Sequence, residues 1–210
     1  MADDHSAGAA AVFDALGADY ERAFADSTAH HASLRRLMDG LAPHSKVLDV
    51  GSGTGRPTAG TLTGAGHEVL GVDVSPVMVD LAARQVPGAS FVCADIHELP
   101  LEEGSFDAVC VYFSLLQMSR GDQSRLLGRL TRALVPGGRL VVATVPLDVE
   151  AVSAVFMGQK VRVTSFGATE FTALVSASGL SVEWEQSALF TPAHPEAVAE
   201  PHLFLHCRRD

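Results

Sequence analysis

The segment Val47-Leu48-Asp49-Val50-Gly51-Ser52-Gly53-Thr54-Gly55 decides the fold. A short apolar run, interrupted only by Asp49, ends directly in alternating glycines. Such a run without polar alternation is the pattern of a strand covered on both faces, as parallel strands between helix layers are. Glycines at alternate positions after it let the backbone pass close beneath a ligand, where any Cβ would collide. A helix beginning just beyond would present its unpaired N–H groups to something anionic.

Working outward, Arg56 to Ala65 is predicted as a helix, with Gly66 just past its end. Glu68 to Val72 is a second strand. Ser75 sits at an N-cap position with Pro76 at the first helical position and Val77, Met78 and Leu81 behind it. Ala89 to Cys93 and Phe106 to Tyr112 are the third and fourth strands. Asp122 to Leu134 places Leu126, Leu127, Leu130 and Leu134 on one face of an amphipathic helix. Pro136-Gly137-Gly138 then turns the chain into a fifth strand, Arg139 to Val145. On the amino-terminal side, Met1 to about Ala10 reads as frayed. Ala11 to Leu41 reads as helical, with Val12, Leu16, Tyr20 and Phe24 at four-residue spacing. Leu147 to Gly179 is mixed, with a helix around Ala168 to Ala177. Leu180 to Glu185 and His202 to Arg208 are strands joined by a loop with Pro192 and Pro195, and pair antiparallel for want of a crossover helix.

Alternating strands and helices imply an α/β fold: one Rossmann-like, doubly wound sheet of about seven strands, mostly parallel with an antiparallel carboxy-terminal edge. The chain is expected to be a single domain with a helical cover (1–45), a ligand-binding core (46–145), a second-substrate segment (146–179) and a terminal strand pair (180–210). Its 210 residues are 47% hydrophobic and 19% charged, enough apolar material for a core, and the formal net charge is −10. That balance disfavours a polyanionic partner, so no nucleic acid is expected. Cys93, Cys110 and Cys207 lie far apart in apolar stretches and lack metal-ligand spacing. They are expected to be three buried free thiols with no metal. The acidic start is unlike a secretory signal, and no apolar run reaches membrane-spanning length, so a cytoplasmic protein without a membrane partner is expected.

The glycine loop suits either a dinucleotide or S-adenosylmethionine (SAM), and three details separate them. In the dinucleotide spacing GxGxxG, the last glycine would fall on Arg56 or Thr58. Asp49, inside the strand, is awkward beside a pyrophosphate but suits the ammonium of a methionine. Asp73 ends the second strand, where a carboxylate can accept both ribose hydroxyls.

With Gly71-Val72-Asp73-Val74-Ser75, Ala94-Asp95-Ile96, Phe106-Asp107-Ala108-Val109 and Leu134-Val135-Pro136-Gly137-Gly138 following in order, the sequence resembles the class I SAM-dependent methyltransferases of the small-molecule type. The resemblance covers roughly Leu34 to Val145. It implies SAM as cofactor and S-adenosylhomocysteine as its product. It also implies that Gly51, Ser52, Gly53 and Gly55 line the methionine end together with Asp49 and Tyr20. Asp73 would bind ribose, Val74 and Met78 would pack on adenine, Asp95 and the Ile96 amide would meet the adenine edge, and Tyr112 and its neighbours would close the pocket near the methyl. Each has a plainer reading: Asp95 as a turn residue, Met78 as core, Tyr20 as packing against Leu16 and Phe24. A cofactor-holding protein that no longer transfers methyl also fits.

Methyl transfer needs alignment and exclusion of water more than a dedicated catalytic group. His30 and His31, in a helical region that often covers the active site in this family, and Tyr112, at the end of the fourth strand, are the candidates for a base. The chain after the fourth strand, Tyr112-Phe113-Ser114-Leu115, lacks the Asn-Pro-Pro-Tyr pattern of nucleobase methylation. Phe156, Met157, Phe166 and Phe171 are candidates for an apolar lining around a small-molecule acceptor.

Overall fold

A computed structural model describes residues 2–210, and of residues 2–7 only the backbone. The order of elements is α1 (Ala2–Leu16), α2 (Ala18–Phe24), α3 (Thr28–Asp39), β1 (Lys46–Val50), α4 (Thr58–Gly64), β2 (Glu68–Asp73), α5 (Pro76–Gln85), β3 (Ser90–Cys93), β4 (Phe106–Tyr112), α6 (Arg120–Ala133), β5 (Leu134–Thr144), β6 (Val149–Phe156), β7 (Gln159–Ser165), α7 (Ala168–Ala177), β8 (Leu180–Phe190) and β9 (Glu200–Arg209). Seven strands form one sheet in the order β3-β2-β1-β4-β5-β9-β8, and β6 pairs with β7 in a separate two-stranded sheet. β3, β2, β1, β4 and β5 are mutually parallel. β9 runs antiparallel to β5 and β8 antiparallel to β9, so the expected sheet with its antiparallel edge is the one observed.

β1 lies inside the sheet between β2 and β4, and its last four residues, Asp49 included, are buried. On one face of the sheet Leu48 and Val109 join Leu126, Leu127, Leu130 and Phe171 from α6 and α7. On the other, Val47 and Ala108 meet Leu34, Leu37 and Leu62 from α3 and α4. The apolar run of β1 is therefore consumed by two helix layers, as its lack of alternation requires.

Several boundaries differ from the sequence reading for identifiable reasons. The amino-terminal region is three helices: Gly17 adopts φ +47 between α1 and α2, and an extended Ser27 precedes α3. The four-residue apolar spacing continues across the first break, so periodicity alone ran the helices together. α1 begins at Ala2, inside the stretch read as frayed, while Met1 lies outside the described residues. α4 starts two residues after Arg56, because a residue before proline is disfavoured in helical backbone and Pro57 carries no N–H. Gly66, at φ +88, closes the carboxyl end of α4 as expected.

Pro136-Gly137-Gly138 is no turn but a bulge within β5, where the pairing jumps from Phe106↔Leu134 to Ala108↔Arg139. Gly137, among the extra residues that β5 inserts there, has φ +74, a left-handed backbone that glycine adopts readily. The hairpin of β6 and β7 went unforeseen. Its turn, Met157-Gly158, has φ +48 and +80, both positive as a tight primed turn requires, but without an Asn-Gly signature to announce it. The hairpin buries Met157 and Val161 against Val12 and Leu16 of α1. α7 falls where the sequence placed it. Cys110 and Cys207 are buried, but Cys93, on the outermost strand with one neighbour, is exposed. Among the described residues no helix is long and apolar enough to cross a membrane.

Leu48 has no exposed surface and lies in β1, between β2 and β4. Leu48→Ala should cost about 2–5 kcal/mol by lost burial and a residual cavity. A urea titration should show it as a lower midpoint with an unchanged slope.

Candidate active site

After β1 the chain builds β2 and β3 on one side, then returns to place β4 on the other. The crevice at the carboxyl ends of β1 and β4 is where open α/β sheets bind ligands. Gly51 sits there at φ +69, and a Cβ on it would stand 2.3 Å from the Cβ of Ser114, just beyond β4. Only glycine lets the two connections pass. The amides of Gly51 and Ser52 donate to the Val72 carbonyl at 2.8 and 3.1 Å. The Gly53 amide donates to Asp73 Oδ2 at 2.8 Å, and the Ser75 amide to Oδ1 at 2.9 Å. Ser75 Oγ accepts from the Met78 amide, as an N-cap, and donates to Asp14 Oδ1 of α1. One carboxylate thus links the glycine loop to the start of α5, and the adjacent serine ties the amino-terminal helix to the same point.

Two cavities meet over this loop and share Tyr20, Phe24, Gly51, Gly53, Tyr112 and Phe113. The smaller, about 560 Å³, lies over the start of α4 and is lined by Asp49, Ser52, Thr58, His30 and His31. The larger, about 700 Å³, runs past Asp73, Val74, Met78, Asp95 and Ile96. It continues to an apolar wall of Leu116, Leu147, Val155, Phe156, Val161 and Val163. The structure therefore brings together all the expected residues except Gly55. A Cβ at Gly55 would meet Phe91, Val86 and Ala82 within 3.3 Å. That glycine serves the packing of the loop on β3 and α5 and lines neither cavity, which corrects its assignment to the methionine end.

The base candidates are also placed differently from expectation. His30 is buried with its ring 4.0 Å from that of Tyr112 and Nε2 3.3 Å from Thr58 Oγ1. Burial pulls its pKa down to about 3, so the ring stays neutral. His31 donates from Nε2 to the Ala25 carbonyl at 2.9 Å. Both histidines line the smaller cavity and neither faces the apolar wall. The Tyr112 hydroxyl is 2.9 Å from Ser33 Oγ, which is 2.9 Å from His206 Nε2. Burial raises that phenol well above its ordinary range and lowers His206 to about 4. This neutral network holds the Tyr112 hydroxyl on Ser33 and pins α3 to β9.

Of the apolar candidates, Phe156 lines the larger cavity, Met157 is buried beneath α1, and Phe166 and Phe171 pack into the core under α7. Phe113, beside Tyr112, lines both cavities, while reasoning from sequence missed Glu200 on the lining of the larger one. Glu200 Oε1 accepts from His202 Nε2 at 2.8 Å. The one available signal was the spacing of two, which puts both side chains on one face of a strand.

The polar floor fits an aminoacyl sulfonium nucleoside. Asp49 Oδ2 and Ser52 Oγ are buried with no hydrogen-bond partner among the described residues. A Cβ on Gly53 would meet nothing within 4 Å, so the space above it is open. Burial, reinforced by the Asp73 charge, pushes Asp49 up to about 8. An ammonium beside it would supply both the missing donor and the counter-charge. Asp73 is raised by burial and pulled back by the Ser75 and Gly53 amides. A carboxylate has about four acceptor positions, so capacity is left that would suit a ribose hydroxyl.

At pH 7 the folded chain holds the Asp49 proton that the unfolded chain has lost, so this carboxyl costs stability increasingly from about pH 4 to about pH 8. Asp49→Asn removes that cost. The ligand-free variant should gain on the wild type by more than about 1 kcal/mol between those pH values, read as a widening gap in melting temperature. It should also bind S-adenosylhomocysteine more weakly.

Residues 47–138 match the family model described as a methyltransferase domain. A demethylmenaquinone methyltransferase of Beutenbergia cavernae is 40% identical over 111 residues, 52% of this chain and 45% of that protein. The chain thus spans about half the length of the curated relatives it matches. Among solved structures, the 1,6-didemethyltoxoflavin N1-methyltransferase of Burkholderia thailandensis, with that compound and S-adenosylhomocysteine bound, superposes with a TM-score of 0.75. It is 23% identical, and the match covers 99% of this chain and 89% of that one. The cyclase SpnF superposes at 0.64 with 22% identity, covering 84% and 79% of the two chains. At such identities the superpositions speak for the fold, and the domain match carries the kinship. With its glycine loop and its seven-stranded sheet, the chain is similar over residues 47–138 to the methyltransferase domain family, and it has the fold of SAM-dependent methyltransferases of known structure.

Proposed function

We propose that this protein transfers a methyl group from SAM to a small, largely apolar acceptor, as enzymes of secondary metabolism do. The observation that carries the reading is the continuity of the larger cavity. One space holds both the polar groups suited to an adenosine and an apolar wall built from the β6–β7 hairpin. Asp73 would accept the ribose hydroxyls, Val74, Met78, Asp95 and Ile96 would frame adenine, and Asp49 would face the methionine ammonium. When bound, the cofactor supplies an electrophilic methyl on a sulfonium. The chain's own task is to aim that methyl at the apolar wall and to keep water out, which Phe13, Phe24 and Phe156 do by lining the space between.

The relatives support a ring-bearing acceptor, since one is named for demethylmenaquinone and a structural neighbour for a didemethyltoxoflavin. Acceptor choice would reside in α1 to α3 and in residues 147–179, which lie outside the matched segment. A second reading, in which the cofactor is held for a reaction other than methylation, is favoured only by the shared fold of a cyclase. Release of labelled methyl onto an acceptor distinguishes the two.

Calorimetry should show binding of S-adenosylhomocysteine and none of NAD. Asp73→Ala should weaken S-adenosylhomocysteine by about 1.5–3 kcal/mol, the worth of a hydrogen bond to a charged group, and Asp73→Asn by less. Wild-type affinity in Asp73→Ala would mean that the nucleoside is held elsewhere. NAD binding without any response to S-adenosylhomocysteine would overturn the proposal as a whole.

A further inference from the structure

Resting on the reading of the larger cavity as the acceptor site, we infer that it takes a neutral apolar acceptor bearing an O–H or N–H, which Glu200 receives, and that it excludes carboxylates. Glu200 stands at the start of β9 and lines the chamber with Pro201. Its Oε1 is anchored by His202 Nε2 at 2.8 Å. The His202 side chain is fully buried, its ring 4.4 Å from that of Phe113 and 5.5 Å from that of Phe190. A carboxylate has about four acceptor positions, and the His202 bond uses one. Glu200 is therefore a fixed acceptor on a mostly apolar chamber, with capacity left for a donor.

The charges around it point the same way. The lining carries Asp73, Asp95, Asp122 and Glu200 against two cations, Arg125 and Arg129. Both arginines are engaged among the described residues. Arg125 pairs with Asp122. Arg129 donates to the carbonyls of Ile96, His97 and Leu99 at 2.9, 2.7 and 2.7 Å. Tyr20, which lines the same chamber, registers the field: its phenol is pushed above its ordinary range by burial, then by Glu200 and then by Asp73. A carboxylate acceptor would enter a chamber whose lining, among the described residues, offers no unengaged arginine or lysine to meet it, at the cost of an unpaired, partly desolvated anion. A neutral O–H or N–H gains a charge-assisted hydrogen bond instead.

The test uses the full chain saturated with S-adenosylhomocysteine at pH 7 and the neutral fluorophore N-phenyl-1-naphthylamine as probe. 1-Naphthol and 1-naphthoate, alike in ring size, compete for the chamber. The naphthol should displace the probe at a concentration at least about tenfold lower than the naphthoate, a difference of about 1.4 kcal/mol. Glu200→Gln keeps a carbonyl for His202, so it should fold, bind S-adenosylhomocysteine like the wild type, and bring the two competitors within about threefold of each other. The proposal is overturned if the probe does not bind, if naphthoate competes as well as naphthol on the wild type, or if the preference survives in Glu200→Gln. Failure of the wild type to bind S-adenosylhomocysteine would instead remove the underlying assignment of the site.

Discussion

Two backbone amides, those of Gly53 and Ser75, converge on the carboxylate of Asp73, and the shape of the site follows from that convergence. The first belongs to the loop leaving β1 and the second to the start of α5, so one side chain fixes the relative position of two βα connections. Burial alone would drive this carboxyl toward its neutral form, and the donors at its oxygens oppose that. Because the glycine loop is held from this side, Gly51 comes within reach of Ser114 from the far side of β1. The narrow place at the switch point is thus a consequence of strand order and hydrogen bonding together.

The two ends of the site are built from different physics. The end proposed for the cofactor is polar and incompletely satisfied: Asp49 and Ser52 keep buried atoms without partners among the described residues, which is costly unless a ligand completes them. The far end of the larger cavity, proposed for the acceptor, is apolar and made of residues distant in sequence, from the β6–β7 hairpin to the segment before β9. Its hairpin is tied to α1 by Met157 and Val161 packing on Val12 and Leu16, and α1 is tied to the cofactor floor through Asp14 and Ser75. The elements that would close over an acceptor therefore share contacts with those that would hold the donor. The buried network of Tyr112, Ser33 and His206 joins the cover to the antiparallel edge on the other face.

The sequence by itself determined the strand–loop–helix core. An apolar run without alternation, glycines where backbones must pass, a carboxylate at the end of the next strand and a Ser-Pro helix start are all local patterns, each with a local physical cause. They led to the parallel sheet, its antiparallel edge and the class of cofactor. Tertiary structure decided what local pattern cannot encode. Gly55 looks like its neighbours in the motif, yet it faces Phe91 and Val86 because the loop turns toward β3. His30 and His31 look like a surface pair or a catalytic one, and the break before α3 sets them instead over the glycine loop, away from the apolar wall. The hairpin of β6 and β7 escaped notice because its turn is permitted by positive φ at Met157 and Gly158, not announced by a favoured dipeptide. Glu200 acquires meaning only where β9 returns beside β5 and carries it into the chamber. The acceptor side was illegible for that reason: it is assembled by strand order across distances at which a sequence has no periodicity to read.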